Sequence, residues 1–304
     1  MLSADITRYV ELHHELGFKF RLQACILRHF ARFAEPRGDD FVRTTTAMVW
    51  AGEAPSVAQR RERLAIVRRF ALRMQAEDER YEIPPAQMFG RLTRRRRIPH
   101  IYTPDELRRL LEAASRLGPE DSIRADTHVT LFALLASTGL RISEALALQL
   151  DDITADGLVI RNTKFRKSRL VPLHHTTRAG LERYIAKRIR RCTIDSSVFL
   201  SLWDKGLGYS RTNAVFLELM RSIGLRGPPG VPGPCVHDLR HTFAVRALES
   251  ADGDGEATTR HILALSTYLG HAHPSDTYWY LQATPKLMEG ISKAVEHFFV
   301  GVES

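Results

Sequence analysis

Cysteine is nearly absent from this sequence: Cys25, Cys192 and Cys235 are the only three in 304 residues. Their wide, irregular spacing makes neither a disulfide framework nor a zinc pattern, and a reducing cytosol is the simplest setting. The start, MLSADITRYVELHHELGF, lacks the apolar core of a signal peptide, and the longest apolar stretch, around VTLFALLA, is far too short to cross a bilayer. A soluble, cytoplasmic protein with no membrane partner is expected. Lysine is scarce as well, with seven residues against roughly five times as many arginines, a bias that average composition does not predict. Also missing are a GxxxxGK[ST] phosphate loop, an HExxH pair and a carboxylate cluster of the kind metal-dependent nucleases need.

What is present is enough apolar residue, 44% of the chain, for a sizeable core, in a length that suggests two domains. The net charge of +9 favours polyanionic partners. The excess is uneven: residues 1–100 hold 19 Lys and Arg against 12 Asp and Glu, a net of +7.

The first ninety residues read as short helices. ADITRYVELHHELG ends on Gly17, and RLQACILRHFARFAEPRG places Leu22, Cys25, Ile26, Phe30 and Phe33 on one side before a Pro-Arg-Gly stop. TTTAMVWAGEA offers threonine caps. SVAQRRERLAIVRRFALRMQAEDE sets Val57, Leu64, Val67, Phe70 and Leu72 or Met74 against a face of Arg60, Arg61, Arg63, Arg68, Arg69 and Arg73. That face reads either as a solvated surface or, given the surplus of the whole segment, as phosphate contact, with Arg60, Arg61 and Arg68 as candidate DNA-binding residues. FGRLTRRRRIPHIYTPDEL follows, and its run Arg94, Arg95, Arg96 and Arg97 reads as an extended basic linker along DNA. The expected division is a helical domain over 1–92, a linker over 93–100 and a second domain over 101–304.

The second domain opens on Thr103, Pro104 and Glu106, a capping-box spacing with proline at the first helical position. DTHVTLFALLASTG and RISEALALQL read as helices broken at Gly139. GLVIRNT and SRLVPLH read as short strands joined by a basic turn, and further helices follow. The expected class is mainly α with a small antiparallel sheet.

Three stretches carry candidate chemistry, and each alone has a mild explanation. STGLRISEALAL puts Arg141 at a helix start with Glu144 one turn on, which as a lone feature is a local ion pair. NTKFRKSRLVPL puts Lys164 and Lys167 in a turn, where basic residues are usually just solvated. HDLRHTFA puts His237, Arg240 and His241 on one helical face, equally a polar helix end. In a chain that uses arginine for charge, a lysine in such a turn is placed to release a proton, which arginine cannot do near neutral pH.

Taken in order, these stretches resemble the tyrosine recombinases, the phage integrase and Xer-type family. TGLRISE looks like the family's first box, KFRKSRLVPL like its hairpin lysine segment, HDLRHTFA like its second box, and LGH followed by tyrosine like its end. The N-terminal segment resembles, more loosely, the helical core-binding domain. The resemblance implies that Arg141 and Arg240 clamp the phosphate, Lys164 is the hairpin lysine, His237 and His271 are the box histidines, and Glu144 supports Arg141. Tyr278 and Tyr280 lie about 200° apart on a helix, so one site can be served by only one of them. Nine residues beyond His271, the family's spacing for its nucleophile, lies Tyr280.

The chemistry suits those residue types. Attack on a phosphodiester builds charge on the non-bridging oxygens, which guanidiniums stabilise. A phenol needs a cationic site to favour its phenolate, and the leaving 5′ oxygen needs a proton. Because the bond energy is kept in a 3′-phosphotyrosyl link, the implied reaction uses neither ATP nor metal and no other cofactor.

The implied partner is double-stranded DNA, bound by a homotetramer on paired sites, alone or with related recombinases of the same mobile element. The location implied is the nucleoid. Two other readings share the features: a type IB topoisomerase relaxing one duplex, and a DNA-binding protein without catalysis. The acidic ESADGDGEATT is a longer turn than compact members carry, and the SDTYWYLQATPKLM ending is closer to integrases of mobile elements than to the commoner Xer form.

Overall fold

The computed structural model describes residues 1–90, 97–161, 168–191, 193–250, 255–270 and 280. The chain folds as two compact units, Met1–Arg96 and Arg97–Ser304.

The first unit is helical: α1 (Leu2–Glu15), α2 (Arg21–Ala34), α3 (Thr44–Gly52) and α4 (Val57–Gln75). After α1 the chain reverses at Gly17, whose φ of 81° suits a residue without a Cβ. The core gathers Leu27, Phe30, Trp50, Val67, Phe70 and Tyr81. Its polar atoms are matched: Trp50 Nε1 donates to His29 Nδ1 at 2.9 Å, and the Tyr81 hydroxyl to Asp5 at 2.6 Å.

Three local expectations are corrected. The buried face of α2 is Ala24, Leu27, Phe30, Ala31 and Ala34, whereas Leu22 and Cys25 are exposed. Alanines, weak as a hydrophobic signal, occupy the face where α1, α3 and α4 pack. The threonines do not cap α3. Its N-cap is Arg43, and the Thr44 N–H is satisfied at 2.7 Å by the carboxylate of Glu82, far along the chain. In α4, capped by Ser56, Met74 is buried while Leu72 and Val57 are exposed.

The second unit comprises α5 (Pro104–Ser115), α6 (Ile123–Thr138), α7 (Ile142–Leu146), β1 (Ile153–Thr154), β2 (Gly157–Ile160), β3 (Arg169–Val171), α8 (His175–Ile189), α9 (Tyr209–Ser222), α10 (His237–Glu249) and α11 (Gly255–Leu269). Its class is mainly α with a small three-stranded sheet, antiparallel in the order β1-β2-β3, with Leu158 opposite Val171 and Ile160 opposite Arg169. α5 carries the expected capping box: Glu106 N–H to Thr103 Oγ1 at 3.2 Å and Thr103 N–H to Glu106 Oε2 at 2.8 Å. α6 packs against α5, α8 and α10, around a core that includes Leu131, Phe132, Leu135, Leu158, Phe216 and Leu239.

Residues 97–100, expected in the linker, belong to this second unit. Arg97 pairs with Asp238, and His100 Nε2 lies 3.0 Å from Glu106 Oε2, so an ion pair and a hydrogen bond hold the segment down. α11 begins at Gly255, inside the stretch expected as an acidic turn. Among the described residues no helix is long and apolar enough to cross a membrane.

The end of α6 is the tightest junction. Gly139 takes φ 62° and ψ 19°, and its N–H returns to Leu135 O at 3.0 Å. A Cβ there would sit 2.4 Å from Phe243 Cδ1. Gly139→Ala is expected to destabilise the protein by about 2–4 kcal/mol, from left-handed backbone strain plus overpacking. Urea unfolding of the full chain checks this, and a loss below about 0.5 kcal/mol, the scale of ordinary surface changes, would refute it.

Candidate active site

The site is assembled where two helices end and two begin. Arg141 is the N-cap of α7 and Glu144 its third residue, so the carboxylate reaches back to its own helix start. Glu144 Oε2 accepts the Arg141 N–H at 3.0 Å, and Oε1 accepts from Arg141 Nη1 at 2.8 Å. Arg141 Nη2 donates to Gly270 O at 3.3 Å, just past α11. The side chain of Glu144 is 9% exposed and that of Arg141 30%, so the guanidinium is the part of the pair that solvent or a ligand can reach.

Arg240, one turn into α10, is 2% exposed. Its Nη1 donates to Gly139 O at 2.7 Å and its Nη2 to Leu269 O at 2.8 Å, the carbonyls that end α6 and α11. Burial, and then the nearby charge of Arg141, lower its pKa to about 10, against the pull of Tyr280 and Glu144. It therefore remains charged at neutral pH.

Tyr280 is 3% exposed and packs among Ala244, Val245, Leu248, Leu265 and Leu269. Its phenol is near enough to Arg240 to act on the charge of that guanidinium, and its ring meets that of His241 edge to face at 5.4 Å. The His241 ring lies 4.7 Å from that of His237, the first residue of α10. Burial, and then Arg240, hold His237 below the usual imidazole range. Burial, and then His237, lower His241 to about 4. Both rings are neutral at pH 7, so each offers one donor and one acceptor nitrogen.

Of the residues singled out in the sequence, the structure thus brings together Arg141, Glu144, His237, Arg240 and Tyr280. Lys164, His271, Tyr278, Arg94, Arg95 and Arg96 lie outside the described residues. Arg97 pairs with Asp238, the neighbour of His237, and the same carboxylate accepts the Cys235 N–H at 2.9 Å. In the first unit, Arg60 donates through Nε to Ala54 O at 2.8 Å, Arg61 through Nε to Phe89 O at 2.8 Å, and Arg68 to Pro84 O. The α4 arginines are therefore not simply solvated: these three hold loop carbonyls while keeping further N–H groups.

Two residues at the site have no role implied by the family resemblance. His241 shares the helical face of His237 and Arg240, as its spacing in the sequence indicates. Arg169 sits two residues before buried Val171 in β3, and period-two alternation turns both to the same face. Its guanidinium takes both oxygens of Glu144, Nη1 to Oε1 at 3.1 Å and Nη2 to Oε2 at 2.8 Å. Burial favours the neutral acid at Glu144, but the hydrogen bonds from Arg169 and Arg141 outweigh it and hold the carboxyl below its usual range.

Cationic side chains gathered beside a buried phenol are what a phosphotransfer enzyme acting through tyrosine requires. The profile of the phage integrase family matches residues 101–286, and the chain belongs to this family, the tyrosine recombinases. It is a site-specific DNA recombinase. The chain is 38% identical to a Sinorhizobium fredii protein named integrase/recombinase y4rB, over 96% of each chain. It is 32% identical to the tyrosine recombinase XerD of Mycobacterium tuberculosis, over 77% of this chain and 73% of that one. The fold is also that of the XerH site-specific recombinase, solved as a post-cleavage complex on its difH substrate. The TM-score is 0.63 at 18% identity, covering 90% of this chain and 78% of that one.

The two histidines make stability pH-dependent. Unfolded imidazoles titrate near 6.5, and the folded ones lower, so between about 6.5 and 4 the unfolded chain binds more protons. Their contribution is fully present above about pH 6.5 and is lost as pH falls through that window. Urea midpoints at pH 7.5, 6 and 5 should fall progressively, and less steeply in His241→Gln; equal slopes would count against the buried, neutral state of His241.

Proposed function

We propose that this recombinase cleaves DNA with Tyr280 as nucleophile. The phenolate oxygen bonds to the scissile phosphorus, the bond from phosphorus to the 5′ oxygen breaks, and a 3′-phosphotyrosyl link holds the strand. Arg141 and Arg240 carry the charge that grows on the non-bridging oxygens. His237 and His271 add hydrogen bonds or accept the phenol proton, and Lys164 protonates the leaving 5′ oxygen. Rejoining reverses these steps with the 5′ hydroxyl of another strand, so no ATP or metal enters. The observation that carries the reading is the burial of Tyr280 against His241, the neighbour of Arg240 on the same helix.

The first unit acts as the helical core-binding domain over residues 1–92, with Arg60, Arg61 and Arg68 offering their remaining N–H groups to DNA phosphates. Arg94, Arg95 and Arg96 follow the duplex backbone, and Arg97, held by Asp238, keeps further N–H groups for it. Four copies act on two paired sites of a mobile element, associated with the nucleoid. The +9 net charge supports these phosphate contacts.

A nicked suicide duplex carrying the element's own ends tests the nucleophile. A covalent protein–DNA adduct is expected with the native chain and with Tyr278→Phe, and none with Tyr280→Phe. An adduct surviving in Tyr280→Phe would reject the assignment. Efficient relaxation of plasmids lacking any cognate site would favour the topoisomerase reading.

Because Tyr280 packs on His241 of its own chain, beside Arg240, cleavage occurs within one protomer. Mixing Tyr280→Phe with Arg240→Ala should restore no adduct, whereas restored adduct would mean that the tyrosine is donated between protomers.

A further inference from the structure

We propose that Arg169 is a positioning residue for phosphate activation: it takes up the charge of Glu144, so that the charge of Arg141 stays available to the scissile phosphate. The proposal rests on the reading of Arg141 given above.

The geometry is that of a carboxylate shared unequally. Arg169 meets Glu144 with a two-pronged fork, 3.1 Å and 2.8 Å, one N–H to each oxygen. Arg141 reaches one of those oxygens with a single Nη1 at 2.8 Å. The Arg169 side chain is 12% exposed and that of Glu144 9%, so their pairing is little screened by water. One negative charge thus lies between two positive ones, and the trio keeps a net positive charge on the side where Arg141 is exposed. Without Arg169 the pair of Arg141 and Glu144 would be neutral, and Glu144 would draw the Arg141 guanidinium toward itself.

A third contact gives Arg169 reach. Its Nε donates at 2.8 Å to Tyr268 O, in the last turn of α11. Gly270, whose carbonyl accepts from Arg141, approaches the same guanidinium closely: a Cβ on it would stand 2.8 Å from Arg169 Nη1, and its φ is 66°. One planar group therefore sets the distance between β3, the N-terminus of α7 and the end of α11. Lysine, with a single point charge, cannot occupy both oxygens and the carbonyl in that plane.

A purely architectural role would also use these contacts, so the test must read charge at the phosphate. Single-turnover cleavage is measured with the full-length protein on two suicide duplexes. One carries the natural scissile phosphodiester, the other a methylphosphonate there, in which a methyl group replaces one charged oxygen.

Arg169→Gln is expected to slow cleavage of the natural duplex about 100-fold, the scale of losing one oriented donor at a developing anion. Its Kd for the duplex should stay within about threefold, since phosphate contacts elsewhere set affinity. On the methylphosphonate, where less charge needs neutralising, its deficit should shrink below about tenfold. Arg169→Lys, which keeps the charge but not the fork, should fall between Arg169→Gln and the native chain. If Arg169→Gln does not fold, Arg169→Lys carries the same comparison between the two duplexes.

An equal deficit on both duplexes would overturn the proposal, leaving Arg169 an architectural residue, and so would an unchanged rate on the natural one. Arg141→Ala serves as the reference. If its own deficit is not relieved by the methylphosphonate, the reading of Arg141 fails, and the proposal that rests on it falls for that separate reason.

Discussion

The site depends first on a buried guanidinium. Arg240, with 2% exposure, would be costly to hold away from water unless its donors were matched. They are matched by Gly139 O and Leu269 O, two carbonyls that helix geometry leaves without partners in their own helices. One side chain thus solves two problems: the orphan carbonyls at the ends of α6 and α11 are satisfied, and those ends are brought to a common point. Arg141 follows from the first of these ends and Gly270 from the second. The two guanidiniums are therefore placed by the same bonds that close the fold.

Charge is arranged around that point in graded fashion. Arg240 is buried and partly lowered in basicity, whereas Arg141 is the more exposed of the two. Glu144 stays ionised between Arg141 and Arg169, and the two imidazoles of α10 are kept neutral by burial next to cations. An anion entering here meets fixed positive charge and neutral hydrogen-bonding rings, with little reorganisation needed.

How much of this could be read in advance depended on range. The capping box at Thr103 and Glu106, the break at Gly139 and the pairing of Arg141 with Glu144 are local, and three- or four-residue spacing exposes them. The buried face of α2 is not legible in the sequence, because Ala24, Ala31 and Ala34 become core only when neighbouring helices approach closely. The cap of α3 is not legible either, because Glu82, its true partner, lies 38 residues away. Residues 97–100 looked like linker, since the pairing of Arg97 with Asp238 spans 141 positions and leaves no local pattern.

The sequence by itself determined the class of fold, the family and the identity of the chemical groups, because ordered motifs and residue types are properties of the chain. The resemblance to the family, through its spacing from His271, prefers Tyr280 to Tyr278. Only the tertiary structure decided that Tyr280 is buried against Arg240 and His241, that Arg169 shares Glu144 with Arg141, and that Arg60, Arg61 and Arg68 bind carbonyls of their own unit. Those facts arise from side chains far apart in sequence meeting in a low-dielectric interior, where distance and burial fix both the charge state and the partner of each group.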